Sequence, residues 1–303
     1  MPVNSPHSPE RYILAPQAMH ALGVLLPIQF SPVKLLPGRH PLGHPGDGMR
    51  LLRTRTFVPG EDNPRDIDKF SPPGELRVLE WEDEAQASVM LLADHSASML
   101  MRQKYGLRNA CILQLTYSLW RAGDRVGTTL FDDALQPPLR AANLRVQMER
   151  LATALTARAN GTGMDATRAL DLYLGQYRHF QSNLVFVISD FVAAGENGMK
   201  PSTDWQRPLR QLGRNLVPVI ISFKLPETHH GVVKLWDPER QRRRLTILTA
   251  ERMRRINQHE RDRVEALAHE FRSAGIDYLV LDDPQQVYPE LARLARVRRL
   301  RKH

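Results

Sequence analysis

The 303 residues carry 42 Lys and Arg against 33 Asp and Glu, a formal charge of +9, with 42% hydrophobic and 25% charged residues. That is the balance of an ordinary globular chain, long enough for one large domain or two modest ones. No apolar run approaches the roughly 20 residues of a bilayer span, and the single cysteine, Cys111, excludes an intrachain disulfide and a cysteine-based zinc cluster.

Residues 1–48 are rich in Pro, Gly and His and read as irregular, with "ALGVLLPIQF" the one apolar run. The opening "MPVNSPHSPERY" lacks the basic start and apolar core of a secretory signal, so the expectation is a cytoplasmic protein. Residues 49–84 form a β-rich hairpin region. There "MRLLRTRTFVPG" and "ELRVLEWEDE" flank the turn-forming "EDNPRDIDKFSPPG". Within that turn Arg65, Asp66 and Asp68 are candidate partner-binding residues, with a locally ion-paired turn as the alternative.

Residues 85–283 change character. "ASVMLLAD", "RVGTTLFD", "NLVFVISD", "LVPVIISF" and "IDYLVLDD" are compact apolar, β-branched runs separated by amphipathic segments. Leu107, Cys111, Leu115 and Leu119 recur at helical spacing, which makes Cys111 a core thiol, and Leu144, Met148, Leu151 and Leu155 do the same. A third helix is predicted up to Gly275, a natural residue for the turn after a helix. Continuous apolar strands alternating with helices mean an α/β domain with a doubly wound, mainly parallel sheet. "VVKLWDPERQRRRLTIL" (232–248) breaks the alternation as an inserted β-hairpin. Residues 284–303 are expected to be a basic C-terminal helix or tail. With "RQRRR" and "ERMRR" they make the arginine blocks that would neutralise phosphates if the chain bound nucleic acid nonspecifically.

Two of the strands end in a carboxylate, Asp94 and Asp190. Ligands of open α/β sheets gather at the carboxyl ends of the strands. Asp94, Ser96 and Ser98 leave their strand as D-x-S-x-S, a spacing that lets one carboxylate and two hydroxyls face one way. Such hard oxygens suit Mg2+. The alternative is that Asp94 and Ser96 simply cap the next helix. His95, between them, reads as exposed, and His229 with His230 as loop residues.

"DHSAS" and "ISD" resemble the metal-ion-dependent adhesion site of von Willebrand factor A domains, which combines D-x-S-x-S with a threonine and an aspartate from two further loops. Upstream, Phe57, Pro59, Gly60, Asp62, Pro64, Arg65, Ile67, Asp68, Gly74, Leu76 and Val78 are similar to the segment before that domain in bacterial domain-of-unknown-function family 58. Lys69 stands where that family has Trp, and Met164 in "GMDATRAL" where it has the threonine ligand. A thioether is a poor ligand for magnesium, so Thr162, two residues earlier, is the hydroxyl a shifted loop would supply, with Thr167 on the other side. The resemblance implies a Rossmann-type, von Willebrand factor A-like fold and an Mg2+ site at Asp94, Ser96, Ser98, Asp190 and Thr162, degenerate if Met164 prevents it. It further implies a non-enzymatic adaptor or co-chaperone that works with a MoxR-type AAA+ ATPase and its client protein. The alternatives are a metal-dependent phosphoester hydrolase using the same oxygens, and nonspecific nucleic-acid binding.

Overall fold

The computed structural model describes residues 26, 28, 36–157, 164–177, 183–192, 205–225, 231–237 and 242–300. The chain divides into two units, residues 30–87 and residues 88–303 with 1–29.

The smaller unit is an antiparallel ribbon of β1 (Leu36–Thr56) and β2 (Arg77–Gln86). β1 starts well before the predicted boundary at 49, which corrects the reading of 36–48 as irregular. A two-stranded ribbon consists only of edges, so its prolines disrupt no interior ladder. The register shifts between Pro37 and His40, Pro41 and Pro45, and Pro45 and Arg50. These bulges absorb the residues that propensity would keep out of a strand. Gly48 permits the closest approach: a Cβ there would lie 1.9 Å from the Glu82 carbonyl oxygen.

The loop between β1 and β2 is held from within. Asp62 accepts from both terminal nitrogens of Arg55, at 2.8 and 2.5 Å, and from Val58 N at 2.7 Å. Asn63 caps a short 3-10 turn, Pro64–Asp66, by accepting from Arg65 N. Ile67 bridges to Val78.

The larger unit is built on five parallel strands, β3 (Ser88–Asp94), β4 (Arg125–Phe131), β5 (Leu184–Ser189), β6 (Leu216–Ile221) and β9 (Leu279–Leu281). They lie in the order β4-β3-β5-β6-β9. Counting only these strands, that is 2-1-3-4-5, and the direction of winding switches between β3 and β5. Every residue of β5 and β6 is buried, as the unbroken apolar runs require of central strands covered on both faces.

Helices connect the strands: α1 (Arg102–Arg121), α2 (Leu144–Thr156), α3 (Ala166–Gln176), α4 (Gln206–Leu212), α5 (Ala250–Ser273) and α6 (Val287–Leu300). α1 buries Leu107, Cys111, Leu115 and Leu119, and the Cys111 thiol is pushed up to about 12 by burial. One core cluster joins Met90 and Leu92 of β3 and Val185 and Val187 of β5 to Leu170 and Tyr173 of α3 and Phe271 of α5. Phe191, Trp205 and Phe271 meet there tilted or edge to face, with ring centroids 5.1 to 5.7 Å apart.

The expected hairpin is present as β7 (Gly231–Asp237) and β8 (Arg242–Leu248). Of the expected C-terminal helix or tail, residues 287–300 form the helix, α6, which buries Val287, Leu291, Leu294 and Ala295 and packs against β9 and α1. Arg298, inside the last arginine block, is buried and donates to Asp277 at 3.0 Å. Among the described residues no helix is long and apolar enough to cross a membrane.

Candidate functional site

The carboxyl ends of β3 and β5 meet at the switch point. Ala93 pairs with Ile188, so Asp94 and Ser189 are the next residues on adjoining strands, and Asp190 follows directly. Ser189 Oγ donates to Asp94 Oδ2 at 2.7 Å and accepts from Phe191 N at 2.9 Å. Phe191 takes a left-handed backbone, φ 54°, and Val192 N donates to Asp190 Oδ1 at 3.1 Å. A bulky side chain in that region is held there by its surroundings, and here the buried Phe191–Trp205–Phe271 contact does so.

Asp94 Oδ1 accepts from Ser96 N at 2.9 Å, and Ser96 Oγ lies 3.1 Å from Ser98 Oγ. Asp94, Ser96 and Asp190 are buried and Ser98 is half-buried. The capping alternative does not describe this turn. A 3-10 segment, Ala97–Leu100, intervenes before α1, and Ser96 makes no side-chain cap bond to it.

Three cations that sequence reading overlooked converge here. Lys104 Nζ, from the first turn of α1, donates to Asp190 Oδ2 at 2.6 Å, with both side chains at most 6% exposed. The same ammonium lies 5.1 Å from the centre of the Phe223 ring, within cation–π range. Arg108, one turn further on, is fully buried and donates to the Asp94 carbonyl at 3.0 Å. Arg263 of α5 donates to the Asp190 carbonyl and pairs with Glu260 at 2.7 Å. Lysine and arginine on amphipathic helices ordinarily mark the solvent face. The only signal available was the spacing of Lys104 and Arg108 with Leu107 and Cys111 on the inner side of α1.

His95 corrects an expectation: it is fully buried. Arg108 can only donate, so the Nδ1 atom 2.9 Å from it is the acceptor, and the proton sits on Nε2, 3.0 Å from the Ala157 carbonyl. Burial, then Arg108, pulls the imidazole down to about 4, and it is neutral at pH 7. Burial pulls Arg108 down to about 10, where it remains charged. Asp94 is pushed up to about 6 by burial and by repulsion from Asp190. For Asp190, burial is outweighed by Lys104, Val192 N and Arg263, which hold the carboxyl below the ordinary value.

The other predicted residues divide. Met164 sits at the loop position expected of the threonine. Its N donates to the Asp132 carbonyl at 2.6 Å and its side chain packs against the apolar cluster. Thr167 turns to Asp165, both its N and Oγ1 bonding Oδ1 at the start of α3. Thr162, His229 and His230 lie outside the described residues. In the smaller unit Arg65 and Asp66 are exposed on the 3-10 turn, and Asp66 lines a cleft of about 740 Å³ with Arg55, Asp62, Glu80 and Trp81. Asp68 is a turn residue, accepting from Phe70 N at 3.0 Å.

These donors do not fit a divalent cation as they stand. The carboxylates of Asp94 and Asp190 carry two negative charges, and Lys104 and Arg108 supply two positive ones, while Arg263 is offset by Glu260. Ser96 N and Ser189 Oγ already take the two oxygens of Asp94, and Lys104 and Val192 N those of Asp190, so an added Mg2+ would have to displace these partners and share the site with a buried ammonium. Among the described residues no group of three or more His, Cys, Asp or Glu side chains could hold a metal.

The family model "Protein of unknown function DUF58" matches residues 53–266, from within β1 to within α5. Comparison with curated proteins finds no match. Among solved structures, an aerotolerance-related membrane protein from Bacteroides fragilis is similar at 13% identity and a TM-score of 0.43, over 69% of this chain and 99% of that one. A von Willebrand factor type A protein from Catenulispora acidiphila is similar at 13% identity and 0.37, over 71% and 43%. Proximal thread matrix protein 1 from the mussel byssus, with a zinc-occupied adhesion motif, is similar at 14% and 0.37, over 69% and 47%.

Proposed function

Because this chain belongs to the DUF58 family, with a von Willebrand factor A-like α/β unit, we propose that it is a non-enzymatic protein–protein interaction module. In this reading it is a cytoplasmic adaptor or co-chaperone that presents a client protein to a MoxR-type AAA+ ATPase. One observation carries the non-enzymatic part. Each candidate acid, base or nucleophile at the switch point already has an internal partner: Asp94 with Ser96 N and Ser189, Asp190 with Lys104, His95 with Arg108 and Ala157. Catalysis by general acid or base needs a group within reach of a substrate proton, and these groups face inward.

Of the arginine blocks that would meet phosphates, Arg298 is taken up internally by Asp277, while Arg252, Arg254, Arg255, Arg296 and Arg299 stay exposed. The basic residues left outside would steer an acidic partner from a distance. The experiment is a pull-down of tagged full chain from the lysate of its native host, read by mass spectrometry. A MoxR-type ATPase retained above a tag-only control is the expected result. Its absence, with nucleic acid or nothing retained, contradicts the adaptor reading.

A further inference from the structure

We propose that Lys104 is a built-in replacement for the metal of this site: its ammonium supplies the positive charge that binds Asp190 and closes the β3–β5 rim, and the protein works without a divalent cation. The inference concerns the chemistry of the site and stands or falls separately from the identity of the partner.

Two strands deliver carboxylates to one buried place, and something cationic has to sit with them, because unpaired buried charge is costly. A divalent ion would need hard oxygens and open space. Instead, Lys104 reaches in from the first turn of α1 and meets Asp190 Oδ2 at 2.6 Å. The Phe223 ring lies against the ammonium at 5.1 Å, an apolar wall where a hydrated ion would keep water. Met164, half-buried against the apolar cluster, stands in the sequence where the remaining hydroxyl ligand is expected and offers only a soft side chain. Arg108 and Arg263 fix the backbone carbonyls of the same two aspartates, so the rim is clamped from both strands by covalently attached cations.

A bound metal can offer a vacant coordination position to a partner's carboxylate, and an enclosed ammonium cannot. Lys104 is 5% exposed. It serves as an internal positioning group, and recognition by this chain is insensitive to chelators.

The test uses the full chain. Equilibrium dialysis against Mn2+, with melting in EDTA and in excess Mg2+ or Mn2+, reads the wild type directly. No stoichiometric uptake and one melting temperature in all three buffers are expected. One equivalent of Mn2+ that is lost on Asp94→Ala would overturn the proposal. Lys104→Met strands the Asp190 carboxylate and is expected to melt about 10 °C lower, the order of a broken buried pair. Adding Asp190→Asn to it removes the stranded charge and should recover at least half of that loss. Lys104→Met melting with the wild type, or a double variant no better than the single one, would also overturn it. If Lys104→Met does not fold at all, the double variant and the dialysis decide.

Discussion

Two Asp–cation pairs in this chain have the same chemistry and opposite settings. In the β1–β2 ribbon, Arg55 forks onto Asp62 at the surface, and Arg53 with Arg55 shares Glu80. In the α/β unit, Lys104 meets Asp190 in the interior. Breaking the first leaves charges at a loop edge where water and Val58 N can still meet them. Breaking the second leaves a charge where the effective dielectric is several-fold lower. The ribbon is thus ordered by many weak exposed contacts and turn hydrogen bonds. The α/β unit is ordered by apolar burial, with a few enclosed charges that cannot be removed one at a time.

Substitutions graded by size sharpen that contrast. The largest effect belongs to Phe271→Ala in the aromatic cluster of the α/β unit. It should cost about 4 kcal/mol, read by urea denaturation, because a fully buried ring leaves a cavity that close-packed neighbours cannot fill. Next comes the pH dependence at Asp94. Its folded carboxyl is raised from 3.8 to about 6, so the folded state holds the proton more tightly than the unfolded chain. Its contribution favours folding below about pH 4 and is lost as the pH rises to about 6, a change of up to about 3 kcal/mol. Asp94→Asn lacks this titration. Its stability relative to wild type should therefore improve by that order from pH 4 to pH 6.5, and parallel curves would show that Asp94 is not buried as described.

Smaller effects are expected outside the core. Arg55→Ala should lower the melting temperature less than either change above, and added salt should shrink the difference further by screening a pair that solvent reaches from the Arg55 side. A loss as large as that of Phe271→Ala, insensitive to salt, would break the contrast between the units. The smallest effect is expected for Leu245→Ser on the hairpin, where Leu245 is 71% exposed and Ile247 62%. Stability should stay within about 0.5 kcal/mol.

The parallel sheet was legible because β3, β5 and β6 are unbroken apolar runs, and the hairpin because "DPER" separates two extended runs at 232–248. The meeting of Asp94 with Asp190 was legible for a related reason: each is the carboxylate that closes a buried run, Asp94 as the last residue of β3 and Asp190 directly after Ser189 of β5. What the pattern hid were polar groups pointing inward. Lys104 and Arg108 share the face of Leu107 and Cys111, yet their residue types ordinarily mark a solvated surface, and α1 is buried on most sides. Arg298 was concealed in a basic run that reads as solvated. β1 was missed before residue 49 because Pro and Gly lower strand propensity, while an edge ribbon with bulges accommodates them. His95 was taken for exposed because its two hydrogen-bond partners, Arg108 and the Ala157 carbonyl, are brought to it only by the fold.

The central claim is that a lysine occupies the cation position at the β3–β5 rim. A crystal structure of the full chain grown with Mn2+, with anomalous data collected at the manganese edge, tests it most directly. The account predicts Lys104 Nζ bonded to Asp190 and no anomalous peak beside Asp94, Ser96 and Ser98. A full-occupancy manganese peak there, with Lys104 turned away, would contradict it.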